Sequence, residues 1–267
     1  KHYHPMKKLT RRQFIQTSTA AGVGILGAPA ILSAANKGDK LRVAFIGTGG
    51  INRRHISDTI DHGDICGAYC DVDTSQYGNI GEGIARLETD GNASLAKLWK
   101  AAKPFQDYRE MFDKAADKFD AVMIGVPDHS HYPATVMALE HGKHVFTQKP
   151  LTHTIWEARQ LSVACDRYKL ATQMGNHGHA NEGNRQIAAY VQGGHLGDIK
   201  EIHCFTNRPV WPQGFVKPTG GDPVPSTLDW QNWLGGAADR PFLGERGLDA
   251  ARAKKRGGSY LPFNWRG

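Results

Sequence analysis

Between Leu41 and Asn52 the chain reads LRVAFIGTGGIN, an apolar run that stops at three glycines within four positions. Few folds accommodate that pattern. A strand ending at Gly47 makes a tight turn, Gly49 lets main chain approach a bulky anion, and a helix starting directly afterwards aims unpaired N–H groups and a positive dipole end at the same spot. The pattern predicts a strand–loop–helix unit that holds the pyrophosphate of a dinucleotide, with Gly47, Gly49, Gly50, Ile51 and Asn52 around the phosphates. Asn52 stands where a third glycine usually permits close packing of helix on strand, so a larger side chain must be housed there. A second strand, Ile65 to Tyr69, leads into Cys70-Asp71-Val72-Asp73. Asp71 then lies about twenty residues past the loop, where an acid meets the ribose hydroxyls of such a ligand. Its charge opposes a 2′-phosphate and no arginine follows it directly, so NAD is expected over NADP.

The formal charge of +7 invites a nucleic-acid reading, but Lys1, Lys7, Lys8, Arg11 and Arg12 supply most of it from residues 1–36, which contain no acid. The remainder is close to balanced, and no nucleic-acid partner is expected. The same stretch reads as a targeting leader. Thr10-Arg11-Arg12-Gln13-Phe14-Ile15 precedes a weakly hydrophobic run from Ala20 to Leu32, with small residues at Ala28-Pro29-Ala30 and Ser33-Ala34-Ala35. Gly22, Gly24, Gly27 and Pro29 would break an ordinary helix. The arrangement looks like a twin-arginine signal, which predicts recognition by the twin-arginine export machinery and a periplasmic or exported destination. Left uncleaved, the leader would act as a membrane anchor. No other segment approaches the roughly 18 apolar residues that span a bilayer.

The 267 residues suffice for one large or two ordinary domains. The expected division is a leader over 1–36, a nucleotide-binding domain over 37–150, and part of a second α/β domain over 151–267. Met6-Lys7-Lys8 reads as a natural start preceded by five residues, and the chain stops at Phe263-Asn264-Trp265-Arg266-Gly267 without a closing element, which suggests a fragment. Cys66, Cys70, Cys165 and Cys204 contain no C-x-x-C pair. They are expected to be buried free thiols, the first two on one strand face.

Past the first unit the pattern alternates. Helices are predicted over Leu95–Ala102, Tyr108–Lys118, Tyr132–His141, Thr154–Tyr168, Glu182–Gln192 and Leu228–Leu234. Strands are predicted over 105–107, Phe119–Val126, Lys143–Thr147, Ala171–Met174 and Lys200–Thr206. The fold class is therefore α/β, with a doubly wound parallel sheet first. Pro127-Asp128-His129-Ser130-His131 and Gln148-Lys149-Pro150 terminate two of the strands at one sheet edge, facing the dinucleotide site.

The order of Gly47-Thr48-Gly49-Gly50, Cys70-Asp71-Val72-Asp73, Pro127-Asp128-His129-Ser130-His131 and Gly142-Lys143-His144-Val145-Phe146-Thr147-Gln148-Lys149-Pro150-Leu151 resembles the Gfo/Idh/MocA oxidoreductases over nearly all of the chain after the leader. Gly175-Asn176-His177-Gly178-His179, Trp211-Pro212-Gln213-Gly214, Leu228-Asp229-Trp230 and Pro262-Phe263-Asn264-Trp265-Arg266-Gly267 are similar to an exported branch of that family. The resemblance implies an N-terminal Rossmann domain and an α/β domain, incomplete here, whose open sheet covers the nicotinamide. It implies NAD as cofactor, hydride exchange with a secondary hydroxyl of a sugar, sugar acid or cyclitol, and a homo-oligomer when full length.

By that resemblance Lys149, the lysine of the family's E-K-P signature, touches the substrate hydroxyl and the nicotinamide ribose. Partial desolvation beside a cationic nicotinamide helps such an amine take or hold the hydroxyl proton. Gln148 replaces the family's glutamate and removes a charge that favours the ammonium. Pro127, His131 and Gln148 line the cofactor pocket. His177 and His179 fall in a loop facing the substrate and join Lys149 as candidate catalytic groups, and Asn176 and Arg185 are candidate substrate contacts. Two histidines without a carboxylate and a further histidine do not make a metal site, and no metal is expected. Relatives carry an Asp and a His on a helix after the W-R-G segment, past Gly267. Two other functions draw on the same residues: an NAD-dependent glycosidase working by oxidation, elimination and reduction, and a truncated, non-catalytic nucleotide- or sugar-binding remnant.

Overall fold

The computed structural model describes residues 40–207 and 219–244 together with Tyr260 and Trp265, leaving aside the side chains of His179 and Ala180. The leader, the Trp211–Gly214 motif and most of the Pro262–Gly267 motif lie outside the described residues.

Six strands, β1 (Arg42–Ile46), β2 (Ile65–Cys70), β3 (Lys103–Phe105), β4 (Ala121–Ile124), β5 (His144–Gln148) and β6 (Thr172–Gly175), form one sheet in the order β3-β2-β1-β4-β5-β6. Every neighbouring pair is parallel. Helices cover both faces, and Val43, Ala44, Phe45 and Ile46 of β1 are accordingly all buried, a continuous apolar run rather than an alternating one. On one face α1 (Asn52–His62), α2 (Gly78–Thr89) and α3 (Ala93–Lys100) pack Ile56, Ile60, Ile80, Leu87, Leu95 and Trp99 against Val43 and Phe45. On the other, α4 (Tyr108–Ala115), α5 (His131–Glu140) and α6 (Ile155–Tyr168) close Met111, Phe112, Leu139 and Leu161 over Ala44, Ile46, Val122 and Ile124.

Local chemistry sets the element ends. Asp107, expected inside a strand, instead accepts from the Arg109 N–H as the cap of α4, which moves β3 two residues upstream. Asn92 caps α3 in the same way, so that helix begins at Ala93. Thr154 and Glu157 form a reciprocal capping box at the start of α6. Helix α2 was not foreseen, because Gly78, Gly81 and Gly83 dilute its pattern. Gly83 sits close against α1, where a Cβ would stand 2.8 Å from the Ile60 Cδ1.

Two expectations are corrected. Cys66 and Cys70 do not share a face, because Val43 pairs with Cys66 and Ala44 with Ala68, leaving Gly67 as the extra residue of a bulge. Cys66 therefore packs with Val43 and Phe45, and Cys70 with Ala44 and Ile46. All four cysteines are free, but Cys165 is only half-buried and Cys204 is exposed. Residues 200–206 form no strand: no strand lies alongside them among the described residues, and an unpaired strand leaves its N–H and C=O groups to solvent. Helix α7 (Glu182–Gln192) forms as expected and buries none of its residues.

The bulge has a measurable consequence. A Cβ on Gly67 would lie 2.2 Å from the Lys118 carbonyl oxygen, a backbone atom that cannot step aside. Gly67→Ala should lower stability by roughly 1–3 kcal/mol, read as an earlier urea midpoint at unchanged slope. Gly81→Ala, with nothing within 4 Å of its Cβ position on the exposed side of α2, should cost nothing.

Candidate active site

Strand order reverses between β1 and β4, and a cleft of about 970 Å³ opens beyond their carboxyl ends. Gly47 leaves β1 at φ +80°, a conformation that favours glycine, and a Cβ there would meet the Gly125 oxygen at 2.6 Å. Gly47, Gly49, Gly50 and Ile51 line the cleft. A Cβ on Gly49 would reach 2.7 Å from the Gln76 side-chain oxygen, so the loop is a cradle that larger residues would fill. No side chain caps α1 and its first turn holds no acid, which leaves the helix N-terminus to an anion in the cleft.

Asn52 does not line the cleft. It is wholly buried beneath the loop, where its Nδ2 donates to the carbonyls of Gly47 at 2.6 Å and Ile46 at 3.2 Å and lies 3.4 Å from that of Met123. Gly125 makes the room: a Cβ there would stand 2.4 Å from the Asn52 Oδ1. The larger side chain is thus accommodated by a glycine on β4's exit and ties the ends of two strands together. Among the described residues the Asn52 Oδ1 itself has no hydrogen-bond partner.

Asp71 follows β2 and accepts from the Thr48 N–H at 2.8 Å and the Asp73 N–H at 3.0 Å, with the Thr48 hydroxyl at 3.3 Å. Burial raises its pKa, against the lowering effect of those hydrogen bonds. Its oxygens are held by main-chain and hydroxyl dipoles. Arg109, close by in the fold, is committed to Asp107 at 2.7 Å and to the Asn232 side-chain oxygen at 2.6 Å.

The wall beside Asp71 comes partly from far downstream. The Asp229 N–H donates to the Val72 oxygen at 2.8 Å, the Thr74 N–H to the Thr227 oxygen at 2.9 Å, and the Gln106 amide to both oxygens. Helix α8 (Trp230–Leu234), capped by Asp229, stacks Trp230 on Trp233 at 4.8 Å between ring centroids. The Trp233 oxygen meets His129 Nε2 at 2.9 Å, so the segment bridges the loops after β2 and β4. Asn232, Trp233 and Trp265 line the cleft. Sequence reasoning placed a helix here but not its position against the nucleotide loop; two tryptophans three apart after a capping Asp are the available signal.

At the opposite end β5 and β6 deliver Gln148, Lys149, Asn176 and His177 into the cleft, beside Pro127 and His131. Gln148 is 3% exposed, and its Nε2 lies 2.8 Å from both His55 Nε2 and His177 Nε2. Its Oε1 accepts from the Lys149 N–H at 3.2 Å. His55 was not foreseen; three residues after Asn52, it falls on the same inward face of α1. Burial, then His177, lowers the His55 pKa, against Asp58. His131 is buried and its ring bridges the carbonyls of Val126 and Pro150, tying the exits of β4 and β5. Lys149 is exposed at the mouth of the cleft, so the described residues do not supply the desolvation expected of it. Arg185 lies on the exposed helix α7 and does not line the cleft, and the side chain of His179 falls outside the described residues.

The comparisons agree with this geometry. A family model described as an oxidoreductase family with an NAD-binding Rossmann fold matches residues 41–176, about half of the chain. A glycosyl hydrolase family 109 protein of Shewanella pealeana is 27% identical over 212 residues, 72% of this chain and 44% of that protein. An inositol 2-dehydrogenase of Pseudomonas fluorescens is 26% identical over 199 residues, 73% of this chain and 54% of that protein. A solved myo-inositol 2-dehydrogenase of Lactobacillus plantarum matches with a TM-score of 0.49 at 25% identity, over 60% of this chain and 43% of that one. The chain spans about half the length of the curated relatives it matches.

If the Asn52 amide secures the loop, restoring a glycine there should do harm. Asn52→Gly should lower stability by roughly 1–3 kcal/mol, because the Gly47 carbonyl loses its Asn52 donor and the Ile46 carbonyl keeps only the Gly125 N–H. A urea midpoint equal to or above that of the parent would remove this role.

Proposed function

The chain belongs to the Gfo/Idh/MocA oxidoreductase family with an NAD-binding Rossmann fold, and on that premise we propose that the whole protein exchanges hydride between NAD and a secondary hydroxyl of a sugar, sugar acid or cyclitol. The observation that carries the proposal is one cleft holding the glycine loop and Asp71 at one end and Lys149, Asn176 and His177 at the other. Inositol 2-dehydrogenase activity named in a relative supports the substrate class.

The nucleotide-binding domain of 37–150 holds the cofactor through the Gly47–Gly50 loop and the helix end that follows it, with Asp71 for the adenosine ribose. Bound NAD supplies the hydride acceptor at its nicotinamide ring. Lys149 takes the proton from the substrate hydroxyl, and Asn176 and His177 orient that hydroxyl. The segment from 151 onward builds the substrate side. His179 belongs to the same loop, and Arg185 to a helix that does not reach the cleft. Export through the twin-arginine machinery and homo-oligomeric assembly form part of the same proposal, supported by the leader motif and the family resemblance respectively.

The cofactor choice is checked by calorimetric titration of the full-length protein. NAD should bind at least about tenfold more tightly than NADP, and Asp71→Ala should narrow the gap. Equal or tighter NADP binding would overturn the assignment.

Lys149→Met in the full-length protein should lower kcat by roughly 10²- to 10⁴-fold while NAD affinity stays within about threefold, because a positioned proton acceptor is lost and the phosphate loop is not. A variant keeping more than about a tenth of the parent rate would remove Lys149 from the role. The same assay on polyols and aryl glycosides reads out the reaction class. NADH that accumulates with oxidised product supports the proposal, and aglycone release without net NADH refutes it.

A further inference from the structure

The strongest unexplained feature is a buried polar chain, His55–Gln148–His177, spanning from the inside of α1 to the cleft. Its hydrogen positions follow from one fixed donor. A backbone N–H can only donate, so the Gln148 atom that meets the Lys149 N–H at 3.2 Å is the carbonyl oxygen. The amide nitrogen must then be the atom lying 2.8 Å from His55 Nε2 and 2.8 Å from His177 Nε2. An amide NH₂ has two hydrogens, one for each ring, and no lone pair to offer. Both Nε2 atoms are therefore acceptors, and each neutral ring carries its proton on Nδ1. His55 agrees independently: its Nδ1 faces the Asp58 carboxylate at 4.0 Å, an acceptor.

We propose that Gln148 is a positioning residue that holds His177 as a neutral, Nδ1-protonated imidazole, so that His177 donates a hydrogen bond to the substrate oxygen and does not accept the hydroxyl proton. His177 lines the cleft, and with Nε2 occupied its remaining polar atom is Nδ1–H. In alcohol oxidation the hydroxyl proton would pass to the Lys149 amine, with bound NAD as the hydride acceptor, while His177 keeps its proton throughout. The groups around the chain fit that arrangement. Asp58 and Arg54 on α1 and the edge of Phe146 face His55, which is buried against His177. A glutamate in place of Gln148 would reverse the polarity: a carboxylate accepts, so it would draw the proton of His177 to Nε2 and turn a lone pair toward the cleft.

The assignment of the proton stands apart from the dehydrogenase reading; the use of His177 on a substrate oxygen rests on it. The test is nitrogen-15 NMR of histidine in the full-length protein without cofactor, with His55→Asn and His177→Asn identifying the signals. The parent should show both rings neutral with the proton on Nδ1 at neutral pH. In Gln148→Glu, His177 should shift toward Nε2 protonation and its pKa should rise by about one unit or more, since an anion now faces the ring. An Nε2-protonated or charged His177 in the parent, or no change in Gln148→Glu, would overturn the proposal. Should that variant fail to fold, the parent spectrum decides alone. If the parent spectrum is as stated but no polyol is turned over, the dehydrogenase reading fails and the tautomer stands.

Discussion

The site depends on how β1 and β4 part company. The two strands run parallel and adjacent, then send their chains in opposite directions, which opens a crevice that neither could make alone. Parting without a gap requires main chains to pass closely. Gly47 and Gly125 approach so tightly that a Cβ on the first would stand 2.6 Å from the oxygen of the second. The Asn52 amide, beneath both, binds carbonyls at the exit of β1. With that junction held, the loop over the phosphates, the Asp71 carboxylate and the β5 end have fixed places around one cavity.

The Rossmann half was legible because its signals are local. An apolar strand, a glycine turn and an acid at a set distance each report on their own few residues, and the family model covers the same stretch. Lys149 was expected at the cleft because strand ends of a parallel sheet converge on one edge, and Asn176 and His177 by family resemblance; all three line it. The failures have a common cause in contacts between distant residues. The bulge at Gly67 is dictated by the Lys118 carbonyl, about fifty residues away, and no pattern inside β2 announces it. The strand foreseen at 200–206 was read from alternation alone, which says nothing about whether a partner strand lies beside it. His55 looks like any helix residue until Gln148 is placed against it.

The two ends of the cleft are built differently. Around Asp71 the walls are interlocked: Trp230 and Trp233 stack, and Asp229, Thr227 and Asn232 lean on Val72, Thr74 and Arg109. Residues separated by more than a hundred positions thereby stiffen the nucleotide end. On the substrate side, Lys149, Asn176 and His177 are exposed, and Ile187, Tyr190 and Val191 of α7 are each more than 40% exposed. The nucleotide end is therefore the more enclosed of the two ends among the described residues.

Asn52 and Gln148, the two departures from the family pattern, share one physical logic. One replaces a glycine and the other a glutamate, and both are buried amides whose nitrogens face only acceptors: carbonyls for Asn52, imidazole nitrogens for Gln148. An amide does not titrate, so the Asn52 contacts with carbonyls hold at any pH, whereas those of Gln148 last only while both imidazoles are neutral. Neither adds charge to a cleft already carrying Asp71 and Lys149 at its opposite ends. The site uses neutral dipoles to hold its own frame, which costs less desolvation than a buried ion.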